Sequence, residues 1–292
     1  MQIGAVFPAE ELGDAVAAIR DWVQAAEDLG YRHILVFEHL VGFRDAPNPS
    51  AVGPVTPDTR MHEPLTFLAF WAGITRHIEL VTGVVVLPMR QTVLLAKQAA
   101  EIDALSGGRL RLGVGVGHVE REFHAMNENW RNRGRRIEEQ IALLRALWTN
   151  DALTFDGQFH HLTDRAGLLR PWSVQRPIPI WLGGNTQPAL ERAARIADGW
   201  MPVLMQPDES AKEMIVRYRL LIEKLGRADS GVGLNVFTSL RLVGREQWHE
   251  HANTWRELGA THFTVVVERA GFKTPQAHID ALRQWSGSIS AR

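Results

Sequence analysis

Two histidines and two glycine-rich turns carry the chemistry open to this chain. His39 follows Glu38 at the end of an apolar run from His33 to Phe37, and His118 follows the repeat Gly113-x-Gly115-x-Gly117. Imidazole titrates near neutrality, so either ring could hydrogen-bond a ligand or shuttle a proton. The stretch Gly183-Gly184-Asn185-Thr186 precedes Pro188, a residue suited to the first turn of a helix. Glycine there lets the backbone approach an anion, and the free amides and positive dipole end of a following helix suit a phosphate. The same residues also suit a plain strand-to-helix turn with Asn185 or Thr186 as cap, and local sequence leaves both readings open. Gly83, and Gly199 before Trp200, lie inside β-rich runs, where glycine marks a bulge or the close approach of a backbone or ligand.

Other chemistries find less support. The chain has no cysteine, which excludes disulfides, thiolate metal sites and a catalytic thiol. His249-Glu250-His251-Ala252-Asn253 fails the zinc-protease pattern because Asn253 stands where the second ligand histidine belongs, and no metal site is expected. A dinucleotide fingerprint would need its third glycine at position 118, and the glycines here lie within and just beyond a strand, so a Rossmann phosphate loop is not expected. Carboxylate pairs for glycoside hydrolysis depend on three-dimensional spacing and stay open. With a formal net charge of −1 and charges interspersed, nothing points to nucleic acid or an anionic membrane surface. No run reaches transmembrane length and the N-terminus lacks a signal-peptide pattern, which leads us to expect a cytoplasmic enzyme.

The elements that must position these residues alternate between strand and helix. The organising stretch is Ile78 to Gly117: an apolar β-run (Leu80 to Leu87), a helix with Leu95, Ala99, Ile102 and Leu105 on one face, a stop at Gly107-Gly108, and a second β-run (Leu110 to Val116). That is a βαβ unit with parallel, buried strands. Before it come strand Ile3 to Phe7, a helix with Val16, Ile19, Val23 and Ala26 on one face, strand His33 to Phe37, a Pro- and Gly-rich segment 42–62 read as a lid, and helix Pro64 to Thr75. After it come a helical region with Ile137, Ile141, Leu144 and Trp148, and a hairpin turning at Asp156-Gly157. Strand Ile178 to Leu182, a short strand at 198–202, strand Leu234 to Val243 and strand His262 to Val267 follow, interleaved with helices. Eight strands with eight helices predict a (β/α)8 TIM barrel, one domain over 1–292, with the small hairpin inserted between its fourth and fifth strands. In that fold the active site forms at the C-terminal strand ends, where His39, Gly83, His118 and Gly184 would meet.

The chain also resembles the luciferase-like monooxygenase superfamily, and within it the branch of oxidoreductases dependent on the deazaflavin coenzyme F420. The likeness runs through AAEDLGYRHILVFEHL, EPLTFLAFWAGIT, TGVVVLPMRQTVLLAKQAAEIDALSGGRLRLGVGVG, RGRRIEEQIALLRALWT and PIWLGGNTQPALERAARIADGW. It implies that His39 faces the cofactor ring and that Gly83-Val84 forms a bulge, often a non-prolyl cis peptide, pressing on the ring's back. It further implies that Gly183, Gly184, Asn185, Gly199 and Trp200 hold the cofactor phosphate, with Gly117 among the cofactor contacts. His118 stands where branch members place a catalytic glutamate, which leaves the proton donor open between His39 and His118. Glu38 reads as a supporting partner. The activity implied is hydride transfer between reduced F420 and a small-molecule substrate, in a homodimer joined through the helices bearing Phe67, Phe70, Trp71, Val93 and Leu94. Two alternatives remain at this stage: a monooxygenase using reduced FMN, and a non-enzymatic flavin-binding protein of the same fold.

Overall fold

The computed structural model describes residues 1–45 and 55–290. The chain runs β1 (Gln2–Val6), α1 (Ala9–Leu12), α2 (Val16–Asp28), β2 (His33–Val36), α3 (Pro64–Ile74), β3 (Glu79–Thr82), β4 (Val85–Val86), α4 (Thr92–Ser106), β5 (Leu110–Gly115), α5 (Glu120–Ala125) and α6 (Arg133–Thr149). It continues through β6 (Leu153–Asp156), β7 (His161–Ala166), β8 (Ile180–Gly183), α7 (Gln187–Ile196), β9 (Gly199–Met201), α8 (Glu209–Lys224), β10 (Gly233–Ser239), α9 (Trp248–Glu257), β11 (His262–Val266) and α10 (Pro275–Ser290). Nine strands form one parallel sheet in the order β3-β2-β1-β11-β10-β9-β8-β5-β4, closed by pairing of β3 with β5. Because β4 continues β3 past a break, the nine occupy eight barrel positions, and the fold is the expected (β/α)8 barrel.

Strand alternation explains its two cores. On β2, Ile34 and Val36 point outward to the helices, while His33 and Leu35 point into the barrel. The outer layer is large because each helix lays an apolar stripe on the sheet: Ile19, Trp22, Val23 and Ala26 on α2, and Ile137, Ile141, Leu144 and Trp148 on α6. Val16 and Leu105, expected on such stripes, are instead 62% and 60% exposed at the ends of their helices. The inner layer is Val6, Leu35, Val81, Trp181, Met201, Phe237 and Val266. Beneath it lies a polar floor, in which buried Arg111 pairs with Glu79 at 2.8 Å and stacks over Trp181 at 4.4 Å. There His33 Nε2 also meets Thr264 Oγ1 at 2.7 Å. These layers close the barrel, so any ligand must bind at an end rather than pass through.

Several elements differ from what periodicity and turn chemistry suggest. The run 80–87 is not the one strand its periodicity suggests: it breaks at a cis Gly83-Val84 peptide, as the resemblance implies, and β4 then pairs with β5. The hairpin turn spans 157–160 rather than two residues, because Glu139 on α6 accepts hydrogen bonds from Gln158 N at 2.7 Å and Phe159 N at 2.9 Å. A tertiary contact, not Asp-Gly chemistry, shapes that loop. Strand β10 ends at Ser239, four residues short of the expected Val243. The short helices α1 and α5 had no periodic signal, being four and six residues long. Of the segment 42–62 read as a lid, residues 46–54 lie outside the described residues, and its flanks are joined by Phe43 N donating to Val55 O at 3.1 Å.

Candidate active site at the barrel mouth

The C-terminal ends of the strands gather most of the singled-out residues around one feature, Val84. Its side chain packs on the inner core and fits between two strands that lack side chains beside it. A Cβ on Gly115 would come within 2.7 Å of a Val84 methyl, and one on Gly183 within 3.1 Å of another. On the β2 side, a Cβ on Gly83 would lie 2.0 Å from Leu35. The segment that follows is held by Glu38, which accepts from Val86 N at 2.5 Å and pairs with Arg90; Arg90 in turn reaches Glu63 at 2.7 Å. Burial pushes the Glu38 carboxyl up, against the pull of Arg90. Glu38 is thus a buried support of the segment that follows Val84.

His39 stands at the rim with a partner that the sequence reading missed. Its Nδ1 lies 3.2 Å from both carboxylate oxygens of Glu122, on α5. Glu122 also accepts from Leu40 N at 3.1 Å and Val41 N at 3.4 Å. Burial alone would raise the Glu122 carboxyl, but the His39 hydrogen bond and charge with the Leu40 and Val41 amides hold it below the usual range. The His118 ring sits edge-on to His39, centroids 5.5 Å apart. Burial and the neighbouring His39 lower the His118 imidazole, with Glu122 opposing. Gly117, at φ +76, makes the turn that delivers His118 and packs against Val86 and Phe123. Nothing in the periodicity of VEREF sets Glu122 apart from the exposed Glu120 two residues earlier.

The turn after β8 completes the rim. Gly184 has φ +118, donates to Met201 O at 3.4 Å and accepts from Trp200 Nε1 at 2.8 Å. Asn185 exchanges two hydrogen bonds with Val203, at 2.8 and 2.6 Å, so its side chain is committed to the neighbouring loop. Thr186 caps α7 through Ala189 N at 3.4 Å, and Pro188 has no N–H. The donors left for an anion are the backbone amides of 185–187, not the Asn185 amide group. Gly199 and Trp200 are both engaged with other residues of the protein. A Cβ on Gly199 would lie 2.3 Å from the Trp181 ring, so Gly199 makes room for a core tryptophan. Trp200 is fully buried and acts on the turn through the Gly184 carbonyl.

These residues fit a flavin-type cofactor: an apolar ridge in a glycine cradle for the ring, two imidazoles at the same strand ends, and first-turn amides for a phosphate. A half-open cavity of about 530 Å³ lies at the opposite end, lined by Glu27, Arg32, His77, Glu79, Arg109 and Gln175 among others. Its polar groups are largely used internally. Glu27 accepts the amides of 76–78 at 2.7 to 2.9 Å, and Arg109 donates to Ile78 O at 2.7 Å. Strand direction and these satisfied groups favour the mouth over the floor as the site. Among the described residues no group of three or more His, Cys, Asp or Glu side chains could hold a metal, and no helix is long and apolar enough to cross a membrane.

A luciferase-like monooxygenase family profile matches residues 1–287, and the chain belongs to that family. An uncharacterised protein of Mycobacterium tuberculosis is 36% identical over 182 residues, 60% of this chain and 62% of that protein. The FMNH2-dependent dimethylsulfone monooxygenase of Pseudomonas putida is 32% identical over 226 residues, 74% of this chain and 60% of the enzyme. The matches therefore span less than two thirds of either relative's length. An F420-dependent secondary alcohol dehydrogenase, solved with an F420–acetone adduct, shares the fold with a TM-score of 0.79 at 16% identity, over 99% of this chain and 98% of that one. Both cofactor types thus occur among similar proteins.

Proposed function

We propose that this chain is an oxidoreductase that transfers a hydride between reduced coenzyme F420 and a small organic substrate at the barrel mouth. The observation that carries the reading is the Val84 ridge, cradled by Gly115 and Gly183 at the barrel end where the paired rings of His39 and His118 also stand. When bound, a reduced deazaflavin supplies a hydride from its ring. The chain's own work is placement and proton handling. Val84 offers an apolar seat to one ring face, and the amides of 185–187 take the phosphate. An acceptor that gains a hydride gains negative charge, which a proton delivered from the rim at His39 neutralises. His118, the more exposed of the two, lines the substrate side. The whole chain, 1–292, would act as one cytoplasmic domain, without nucleic-acid or membrane partners.

Assembly as a homodimer belongs to the same proposal, with a narrower contact than the sequence suggests. Phe67 and Trp71 pack inside the protomer against Phe7, leaving Phe70, Val93 and Leu94, at 38%, 43% and 58% exposure, as the apolar surface. A second functional reading is reduced-FMN-dependent monooxygenation, favoured by the identity to the Pseudomonas putida enzyme. Anaerobic fluorescence titration of the purified protein with F420, FMN and FMNH2 tests both. Tighter binding of F420 is expected; tighter binding of FMNH2, with oxygen uptake on aeration, favours the second reading, and binding of neither removes both.

A further inference from the structure

We propose that Glu122 is a positioning residue that fixes the tautomer of His39, so that the proton enters and leaves that ring only at Nε2. On α5, Glu120, Arg121 and His124 are exposed, while Glu122 and Phe123 turn inward. Phe123 is 1% exposed, packs with Val86 and Met89, and meets Trp130 edge-on at 5.1 Å. This anchor forces the adjacent Glu122 carboxylate into the interior, where its side chain is 3% exposed.

A buried carboxylate is stable only when its oxygens are satisfied. Here Oε1 takes the amides of Leu40 and Val41 as well as the His39 contact, and Oε2 is left to His39 alone. An ionised carboxylate can only accept, so Nδ1 must carry the hydrogen. In the neutral ring Nε2 is then the lone-pair nitrogen, and it has no protein partner among the described residues. A loop-capping role for Glu122 would use the Leu40 and Val41 amides equally well, but it would place no demand on the ring. The tautomer separates the two roles.

The test uses the full chain without cofactor, labelled with ¹⁵N-histidine and read by long-range ¹H–¹⁵N correlation at neutral pH, with His39→Gln assigning the signal. The wild type should show His39 protonated at Nδ1. Glu122→Gln is isosteric: its carbonyl can keep the Leu40 and Val41 amides while its NH2 faces Nδ1, so the ring should move to the Nε2-protonated form. Glu122→Ala should give a mixture. A wild-type ring protonated at Nε2 overturns the proposal whether or not the variants fold, and so does an unchanged Nδ1-protonated ring in a folded Glu122→Gln or Glu122→Ala. The consequence for turnover rests on the hydride-transfer reading. With F420 and a substrate, Glu122→Gln should lower kcat by about 10²- to 10⁴-fold and change KM little. If the tautomer shifts as described but kcat is unchanged, the positioning stands and the hydride-transfer role of His39 falls.

Discussion

Replacing Gly115 by alanine tests the Val84 ridge at the point where packing and binding are linked. The added Cβ would lie 2.7 Å from Val84 Cγ2 and 3.8 Å from its Cβ, so the contact is with one methyl at the end of a short side chain. That methyl must shift by several tenths of an ångström, and overpacking of this kind costs about 1–3 kcal/mol. If half or more of the strain appears as displacement of the ridge towards the ring, cofactor affinity falls by about 2- to 150-fold, since each 1.4 kcal/mol is about tenfold. Gly113→Ala provides the contrast. Its Cβ would lie 2.0 Å from the Thr82 carbonyl oxygen, a backbone atom that cannot rotate away, so this variant should lose stability outright. Thermal unfolding and flavin fluorescence titration of both variants, with Val84→Ala and the Gly115→Ala/Val84→Ala double variant, complete the cycle. Removing the Val84 methyls should recover the stability lost in Gly115→Ala. Wild-type affinity in a folded Gly115→Ala would refute the ridge as the ring seat.

Gly184→Asp should weaken binding of both F420 and FMN, because a carboxylate would replace the close backbone approach beside the 185–187 amides. His39→Ala should leave binding nearly intact and slow single-turnover hydride transfer by about 10²- to 10⁴-fold; equal effects of the two changes on affinity would contradict the division of labour. Acid should act on the barrel floor. Burial holds the His262 imidazole down to about 3, helped by the like charges of Arg111 and the N-terminal amine, and lowers His33 as well. A folded pKa below the ordinary value of 6.5 means stability is full above about pH 6.5 and is lost as pH falls towards 3. Urea unfolding from pH 7 to 4 should therefore be steeper for the wild type than for His262→Gln, and parallel profiles would refute the assignment. Light scattering at micromolar concentration should report a dimer that Leu94→Glu dissociates; a monomeric wild type would end that proposal.

The barrel was legible because its strands are short apolar runs separated by amphipathic helices, and closure follows from that alternation. The strand-end glycines were legible as special positions, but their uses were not. Gly115 and Gly183 admit Val84, Gly199 admits Trp181, and the sequence does not distinguish a glycine that faces a ligand from one that faces a core ring. The break at Gly83-Val84 left no mark in the periodicity, because the residues on both sides are apolar and β-prone; only the family resemblance pointed to it. Glu122 left no signal because a buried carboxylate beside exposed charged neighbours has the same local pattern as a surface one; only its anchor Phe123 and its three partners reveal it. The hairpin turn was misread for a related reason, since Glu139 shapes it from a helix about 20 residues away.

On the proposed function the mouth holds F420, with its ring on Val84 and its phosphate on the amides after Gly184. A crystal structure of the protein grown with F420 tests it most directly. The deazaflavin ring should lie in van der Waals contact with Val84, with His39 Nε2 facing the ring or the substrate space beside it, and phosphate oxygens within hydrogen-bond distance of the amides of 185–187. A cofactor bound at the floor beside Arg109 and Gln175, or at the mouth with its phosphate away from that turn, would contradict it.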